Sequence, residues 1–229
     1  MDRAQAKYGI TLPDRQLACA PIQSDEGQRY VGAMHGAINY AFANRQVIAH
    51  NVREAFANAL RMHASEVGLR TVYEVAHNIA KFETHRVNGK QQRLCVHRKG
   101  ATRAFGPGQA DVPARYQSIG QPVLIPGDMG RYSYVLVGTD RAMEETFGST
   151  CHGAGRRMSR RQAKKTVGGR HIADELKERG IIVKGATVRT LNEEVSEAYK
   201  DVAEVVEACE LAGISKKVAQ LRPIGCIKG

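Results

Sequence analysis

The segment Gly148-Ser-Thr-Cys-His-Gly-Ala-Gly-Arg156 holds the residue types that nucleotidyl transfer to an imidazole requires. His152 offers a ring nitrogen as nucleophile. Gly153 and Gly155 let backbone amides approach a bulky ligand and can take left-handed conformations. Arg156 would neutralise the charge that develops as phosphorus is attacked, leaving a phosphoramidate on the ring. The bland alternative is a glycine-rich turn before a helix, with His152 merely hydrogen-bonded. Neither a GxxxxGK(S/T) nor a GxGxxG pattern occurs, so the two common nucleotide-binding loops are not indicated.

Two further clusters bear on the same chemistry. His77-Asn78 ends a β-branched run, where a neutral imidazole could ligate a metal, with His85 and His97 downstream. Three or four converging ligands make a metal site, and these histidines show no ligand spacing, so His85 and His97 read as ordinary polar residues. His97-Arg-Lys-Gly-Ala-Thr-Arg103 sets three basic side chains around a glycine, a weak phosphate-binding signal.

The charge is concentrated in the same region. The 229 residues carry a net charge of +11, and residues 87–170 hold 15 basic against 5 acidic side chains. Such a block suits an anionic partner such as RNA, DNA or a nucleotide, although a solvated basic face is the plain alternative. Its densest part is Arg156, Arg157, Arg160, Arg161, Lys164 and Lys165, which form adjacent rows if helical. No carboxylate lies between Glu145 and Asp174, which leaves these charges without a local counterion and favours phosphate.

The elements that must position these residues are mixed α and β, an α+β class. Apolar residues from Val31 to Leu60 recur at three-, four- and six-residue steps and predict a long amphipathic helix over about 28–62, broken at most once. Strands are expected at 71–78, 93–98, 122–127 and 132–138, with strand-like pieces at 181–183 and 218–222. Helices are expected at 140–147, 159–166, 171–179 and 195–212. Ser159 with Gln162 makes a capping box that would start the basic helix at Arg160. Four of the seven prolines fall in 105–127, which marks ordered loops. No repeat and no clear domain boundary is visible.

Composition excludes several classes. With 42% hydrophobic residues the chain can bury a core, so global disorder is ruled out. No apolar run approaches the roughly 18 residues of a membrane span. No secretory leader is visible, and the five dispersed cysteines contain no CxxC pair, so a cytoplasmic, reducing compartment is expected.

The segments AHNIAKFETH (76–85), VHRKGATRAF (96–105), GQPVLIPGDMG (120–130) and MEETFGSTCHGAGR (143–156) occur in order, followed by the terminal Lys228-Gly229. Together they strongly resemble the RtcB family of RNA ligases, from about Tyr8 to the last residue. The resemblance implies joining of an RNA 3′-phosphate or 2′,3′-cyclic phosphate to a 5′-hydroxyl, in tRNA splicing or RNA repair. It implies GTP as co-substrate and two Mn²⁺ ions in the full-length family. By the same resemblance His152 would carry GMP and His77 would bind metal. Asn78, Pro126, Gly127, Asp128, Met129, Ser133, Gly153, Ala154 and Gly155 would line the nucleotide. Tyr199 would pack on the guanine, and Lys228 would hydrogen-bond its exocyclic oxygen. Lys99, Arg156 and Arg160 would face phosphates of GTP or RNA. The expected partners are RNA ends, GTP and a missing N-terminal half.

One departure from the family is large. Its members are nearly twice as long, and their Asp-x-Gly-Cys and Asn-His-Phe patterns, which supply most metal ligands, do not occur here. Residues 1–229 therefore read as the C-terminal part of one such catalytic domain, with Met1 an internal or re-engineered start. Two functions follow as expectations: an RNA ligase active with its other half, or a non-catalytic module binding RNA or nucleotide. A metal-dependent phosphoesterase would need clustered Asp and His that the sequence lacks.

Overall fold

The computed structural model describes residues 2–14 and 16–228, with side chains from residue 5 onward; Met1 and Gly229 of the expected motifs lie outside these residues. The chain divides into two compact units, Met1–Val72 and Tyr73–Gly229.

In the first unit, α1 (Asp2–Lys7) is followed by an irregular stretch and then α2 (Asp25–Leu60), 36 residues long. At 1.5 Å per residue α2 spans about 54 Å. The sequence allowed one break; none occurs, and the helix contains no proline to cause one. Ser24 Oγ accepts the Gly27 amide at 3.1 Å, and Asp25 and Glu26 place negative charge at the positive helix end. Gly27 is required by packing, since a Cβ there would overlap the Pro21 carbonyl oxygen. Glu26 ties the end of α1 down through Lys7 Nζ at 3.1 Å and the Tyr8 hydroxyl at 3.0 Å. The apolar stripe of this amphipathic helix is largely uncovered: Val31 is buried, while Ile48, Phe56 and Leu60 are 50–58% exposed.

The second unit opens with an antiparallel hairpin of β1 (Ile79–Val87) and β2 (Lys90–Arg98). Its turn is Asn88-Gly89, both at positive φ, the pairing that matches strand twist. Residues 71–78 form no strand, contrary to expectation; no β-ladder among the described residues includes them. The strand begins at Ile79, just after His77-Asn78.

There follow β3 (Ala101–Arg103), a 3-10 turn at Ala114–Tyr116, β4 (Pro122–Ile125), β5 (Ser133–Gly138), α3 (Asp140–Glu145) and β6 (Ser149–Cys151). The chain continues through α4 (Arg160–Val167), α5 (Ile172–Glu178), β7 (Ile182–Gly185), α6 (Val188–Glu193), a 3-10 turn at Ser196–Ala198, α7 (Val202–Leu211), β8 (Ser215–Leu221) and β9 (Gly225–Lys228). β4, β5 and β8 form an antiparallel sheet, β3 pairs with β6, and β7 runs parallel to β9. The helix expected over 195–212 is divided. Tyr199 is extended and bridges Arg156, and Asp201 then caps α7 by accepting the Ala203 amide.

Two apolar cores hold this unit. Val202 and Val206 of α7 pack on Val123, Ile125, Tyr134 and Leu136 of the three-stranded sheet. Ala163 and Val167 of α4 meet Ile172, Leu176, Leu191 and Met129. Each fully buried valine or leucine contributes about 1.5–3 kcal/mol. The result is the expected α+β class. No described helix is long and apolar enough to cross a membrane.

Candidate functional site

His152 is delivered by a braced approach. Phe147 and Gly148 both take positive φ, and a Cβ at Gly148 would overlap the Phe105 ring. Arg98, itself buried, donates to the Phe147 carbonyl at 2.8 Å and to Ser149 Oγ at 2.9 Å. The same guanidinium grips both Glu83 oxygens at 2.8 Å, and His85 Nε2 lies 3.0 Å from Glu83. The β1–β2 hairpin thus clamps the strand that ends at Cys151. Burial alone would push the Glu83 carboxyl up, but the Arg98 and His85 hydrogen bonds outweigh it and hold it below the usual carboxylate range. His85, read as an ordinary polar residue, is part of this clamp, and His97 lies exposed beside Cys95.

Just beyond β6, the His152 ring stacks on His77 with centroids 4.9 Å apart and planes 26° from parallel. The residue read as nucleophile and the one read as metal ligand, 75 positions apart in the chain, therefore meet face to face, with Asn78 next to them. The position of a Cβ on Gly153 would lie 3.4 Å from the Pro126 carbonyl oxygen, so the histidine loop and the Pro126–Met129 loop are close neighbours. A Cβ on Gly127 would overlap the Tyr132 carbonyl oxygen, and Ser133 Oγ accepts the Gly127 amide at 3.3 Å. Ala154 is buried, whereas Gly155 sits at φ +75° with open space around it.

Asp128 and Met129 occupy the loop differently. The Asp128 side chain is 1% exposed, accepts the Gly130 amide at 2.9 Å and the Ser196 hydroxyl, and lies 3.6 Å from Arg131. Met129 is buried in the helical core. Both side chains hold the loop; what they leave for a ligand is backbone.

A third cluster centres on Glu194, which sequence reasoning did not single out. Its carboxylate accepts the Tyr199 hydroxyl, pairs with Arg156 at 3.2 Å and lies 3.6 Å from Lys228 Nζ. Burial first, then Glu194, raises the Tyr199 hydroxyl above its ordinary pKa. The Arg156 guanidinium sits 4.8 Å from the Tyr199 ring centre and also donates to the Tyr199 hydroxyl and to the carbonyls of Met158 and Glu193. Arg156, expected to face phosphate, is thus engaged as a brace for Tyr199. Tyr199 and Lys228 come together through Glu194, a carboxylate 34 residues before Lys228 that no local motif marks.

The basic block is partly neutralised across the fold. No carboxylate is near in the chain, but Glu193 of α6 reaches Lys164 at 2.9 Å, Arg160 at 3.5 Å and Arg189 at 3.7 Å. This corrects the expectation of uncompensated charge, because ion pairing ignores sequence distance. Arg161 and Lys165 have no ion pair among the described residues. Lys99 is exposed in the Lys99-Gly100 turn between β2 and β3, with no hydrogen bond joining it to the histidine pair. Among the described residues no three His, Cys, Asp or Glu side chains gather as a metal site. His77 alone cannot hold a pair of divalent ions.

A family model described as "tRNA-splicing ligase RtcB" matches residues 1–229. A tRNA-splicing ligase RtcB of Archaeoglobus fulgidus is 59% identical over 229 residues, covering all of this chain and 48% of the relative. The protein of the same name in Methanococcus maripaludis is 52% identical, again over all of this chain and 48% of its own length. One from Pyrococcus abyssi is 55% identical over this whole chain and 25% of its own. The chain thus spans about half the length of the first two relatives. A match over every position, at more than half identity, across the same loops that converge on His152, means that the chain belongs to the tRNA-splicing ligase RtcB family.

Proposed function

We propose that this chain carries the nucleotide-accepting site of an RNA ligase acting in tRNA splicing and RNA repair, in the cytoplasm. The observation that supports it best is His152 stacked on His77, between the glycine loop 153–155 and the Pro126–Ser133 loop. A neutral His152 nitrogen attacks the α-phosphorus of GTP; a P–N bond forms, the bond to the bridging oxygen breaks, and pyrophosphate leaves. The RNA 3′-phosphate then attacks the same phosphorus and takes GMP, which frees the ring. Finally the 5′-hydroxyl attacks the 3′-phosphate, loses its proton, and expels GMP as the phosphodiester forms. A 2′,3′-cyclic end enters after hydrolysis to the 3′-phosphate.

This chain's residues supply positioning. The His77 ring limits rotation of His152, and backbone amides of the glycine loop face developing negative charge. Tyr199 offers a ring face to guanine, Lys228 a donor to its carbonyl, and Glu194 an acceptor beside both. Asn78 and Ser133 border the same loops. Lys99 remains available to RNA phosphates, and Arg160, largely exposed, would be shared between Glu193 and a phosphate. For manganese, the chain offers His77 and too few companions, so we assign the other ligands of a two-metal site to a complementing polypeptide. The metals would supply Lewis acidity and in-line alignment.

The second reading, a binding module without catalysis, is favoured by that short ligand set. Incubation with GTP labelled at the α-phosphate, with Mn²⁺ and with or without the complementing half, separates the two. Acid-labile label on the wild type and none on His152→Ala is the expected result. Label that survives in His152→Ala would overturn His152 as the nucleophile, and no label in either mixture would leave the binding module.

A further inference from the structure

Beyond Met129 the same loop borders a cavity of about 450 Å³ that the nucleotidyl-transfer chemistry does not use. Arg131 and Tyr132 line it from the loop, Arg179 from the end of α5, and Arg222 from the segment after β8. No carboxylate lines it. Arg131 donates to the Lys200 carbonyl at 3.1 Å and is ion-paired with Asp128, behind the cavity wall, at 3.6 Å. Arg179 donates to the Gly130 carbonyl at 2.6 Å, which fixes the loop but leaves its charge in place. The Arg222 side chain makes no hydrogen bond or ion pair with any described residue.

Three guanidinium groups around one cavity repel each other, and neither the carbonyls nor Asp128, which pairs with Arg131 alone, cancels that repulsion. A phosphate does, since its oxygens match the guanidinium fork two at a time. Tyr132, 45% exposed, adds an aromatic face of the size of a base, which any base can stack on. An acidic peptide would satisfy the arginines but give the tyrosine ring no role. We propose that this cavity holds one nucleotide of a single-stranded RNA, with its phosphate between Arg131 and Arg222 and its base on Tyr132. Because Gly127 is bonded to Ser133 and packed on the Tyr132 carbonyl, a strand seated here would abut the loop that borders His152. The inference rests on the reading that the chain binds RNA, and not on the chemistry of His152.

The test is fluorescence anisotropy of the full chain with a labelled 5′-hydroxyl single-stranded RNA, without GTP, over a series of KCl concentrations. Arg222→Ala is expected to weaken binding about tenfold and to lower the salt slope by about 0.7, one phosphate contact on a single strand. Arg222→Lys should keep the slope. Tyr132→Ala should lose about fivefold or more with the slope unchanged, and Tyr132→Phe should bind as wild type. Circular dichroism confirms that each variant is folded. Unchanged affinity and slope in Arg222→Ala would overturn the proposal, as would displacement of the RNA by polyglutamate at equal charge. A loss confined to a fluorescent GTP analogue would also overturn it, assigning the cavity to free nucleotide. Since GTP is omitted, failure of His152 labelling leaves this result standing, and failure here leaves the labelling result standing.

Discussion

Arg98 and Glu83 show what one buried pair does for a site it never touches. Their two parallel hydrogen bonds at 2.8 Å, with Ser149 and Phe147 on the other edge of the guanidinium, fix the strand that presents His152. Removing one partner strands a charge in the interior, which costs about 3–5 kcal/mol. Glu83→Gln is therefore expected to lower unfolding stability by that order in urea titrations followed by circular dichroism. The pH dependence has a definite sign. The folded carboxyl titrates below its unfolded value, so its contribution is complete above the unfolded pKa and is lost as pH falls through the folded one. Wild type should thus lose stability steadily below the ordinary carboxylate range, and Glu83→Gln should lose less over that window. Equal losses would mean that the pair does not titrate on unfolding. At this scale His152 and His77 were legible from their local sequence, and Tyr199 and Lys228 only through the family resemblance. Arg98 read as a phosphate contact but is buried on Glu83, and neither Glu83 nor Glu194 was visible, since a long-range ion pair leaves no spacing to read.

Elements announced themselves where the signal is local. The Ser159–Gln162 capping box starts α4 at Arg160 as the sequence indicated, with Ser159 Oγ accepting the Gln162 amide at 3.2 Å and Gln162 returning an acceptor at 3.0 Å. That cap sets the phase of α4, and with it the row that meets Glu193. Ser159→Ala should cost about 1 kcal/mol. Amide exchange at Ala163 and Val167 reads this directly, with about a fivefold rise expected, and Ser159→Asp should restore protection. Unchanged exchange would show that tertiary contacts alone hold the helix start. The missed hairpin turn was also local: Asn88-Gly89 stands between alternating runs and specifies the β1–β2 turn. Residues 71–78 failed for the opposite reason, because β-branched content marks extended backbone while a strand needs a partner, and pairing is not local. The divided helix before Leu211 lies between these cases: Asp201 is a readable cap, but the Tyr199–Arg156 bridge that interrupts the run depends on a segment 43 residues away.

For the molecule as a whole, the parallel pair β7–β9 is the informative surface. In its register Ile182 faces the same side as Gly225, and Lys184 the same side as Ile227, while Val183 and Cys226 pack inward on the helical core. Parallel strands that are apolar on both faces are ordinarily covered on both. Here the outer face is bare: Ile227 is 85% exposed and Ile182, across the pair, 64%. Water is a poor neighbour for a contiguous apolar patch, and protein association is the usual way to cover one. Sedimentation velocity is expected to show concentration-dependent self-association of the chain at tens of micromolar. Ile182→Ser with Ile227→Ser should return it to a monomer, because each removes apolar area from the outer face of an otherwise intact strand pair. A complementing half that covers this face should compete with self-association in the same experiment, and a wild type that stays monomeric at all concentrations would show that the exposed isoleucines are not an interface.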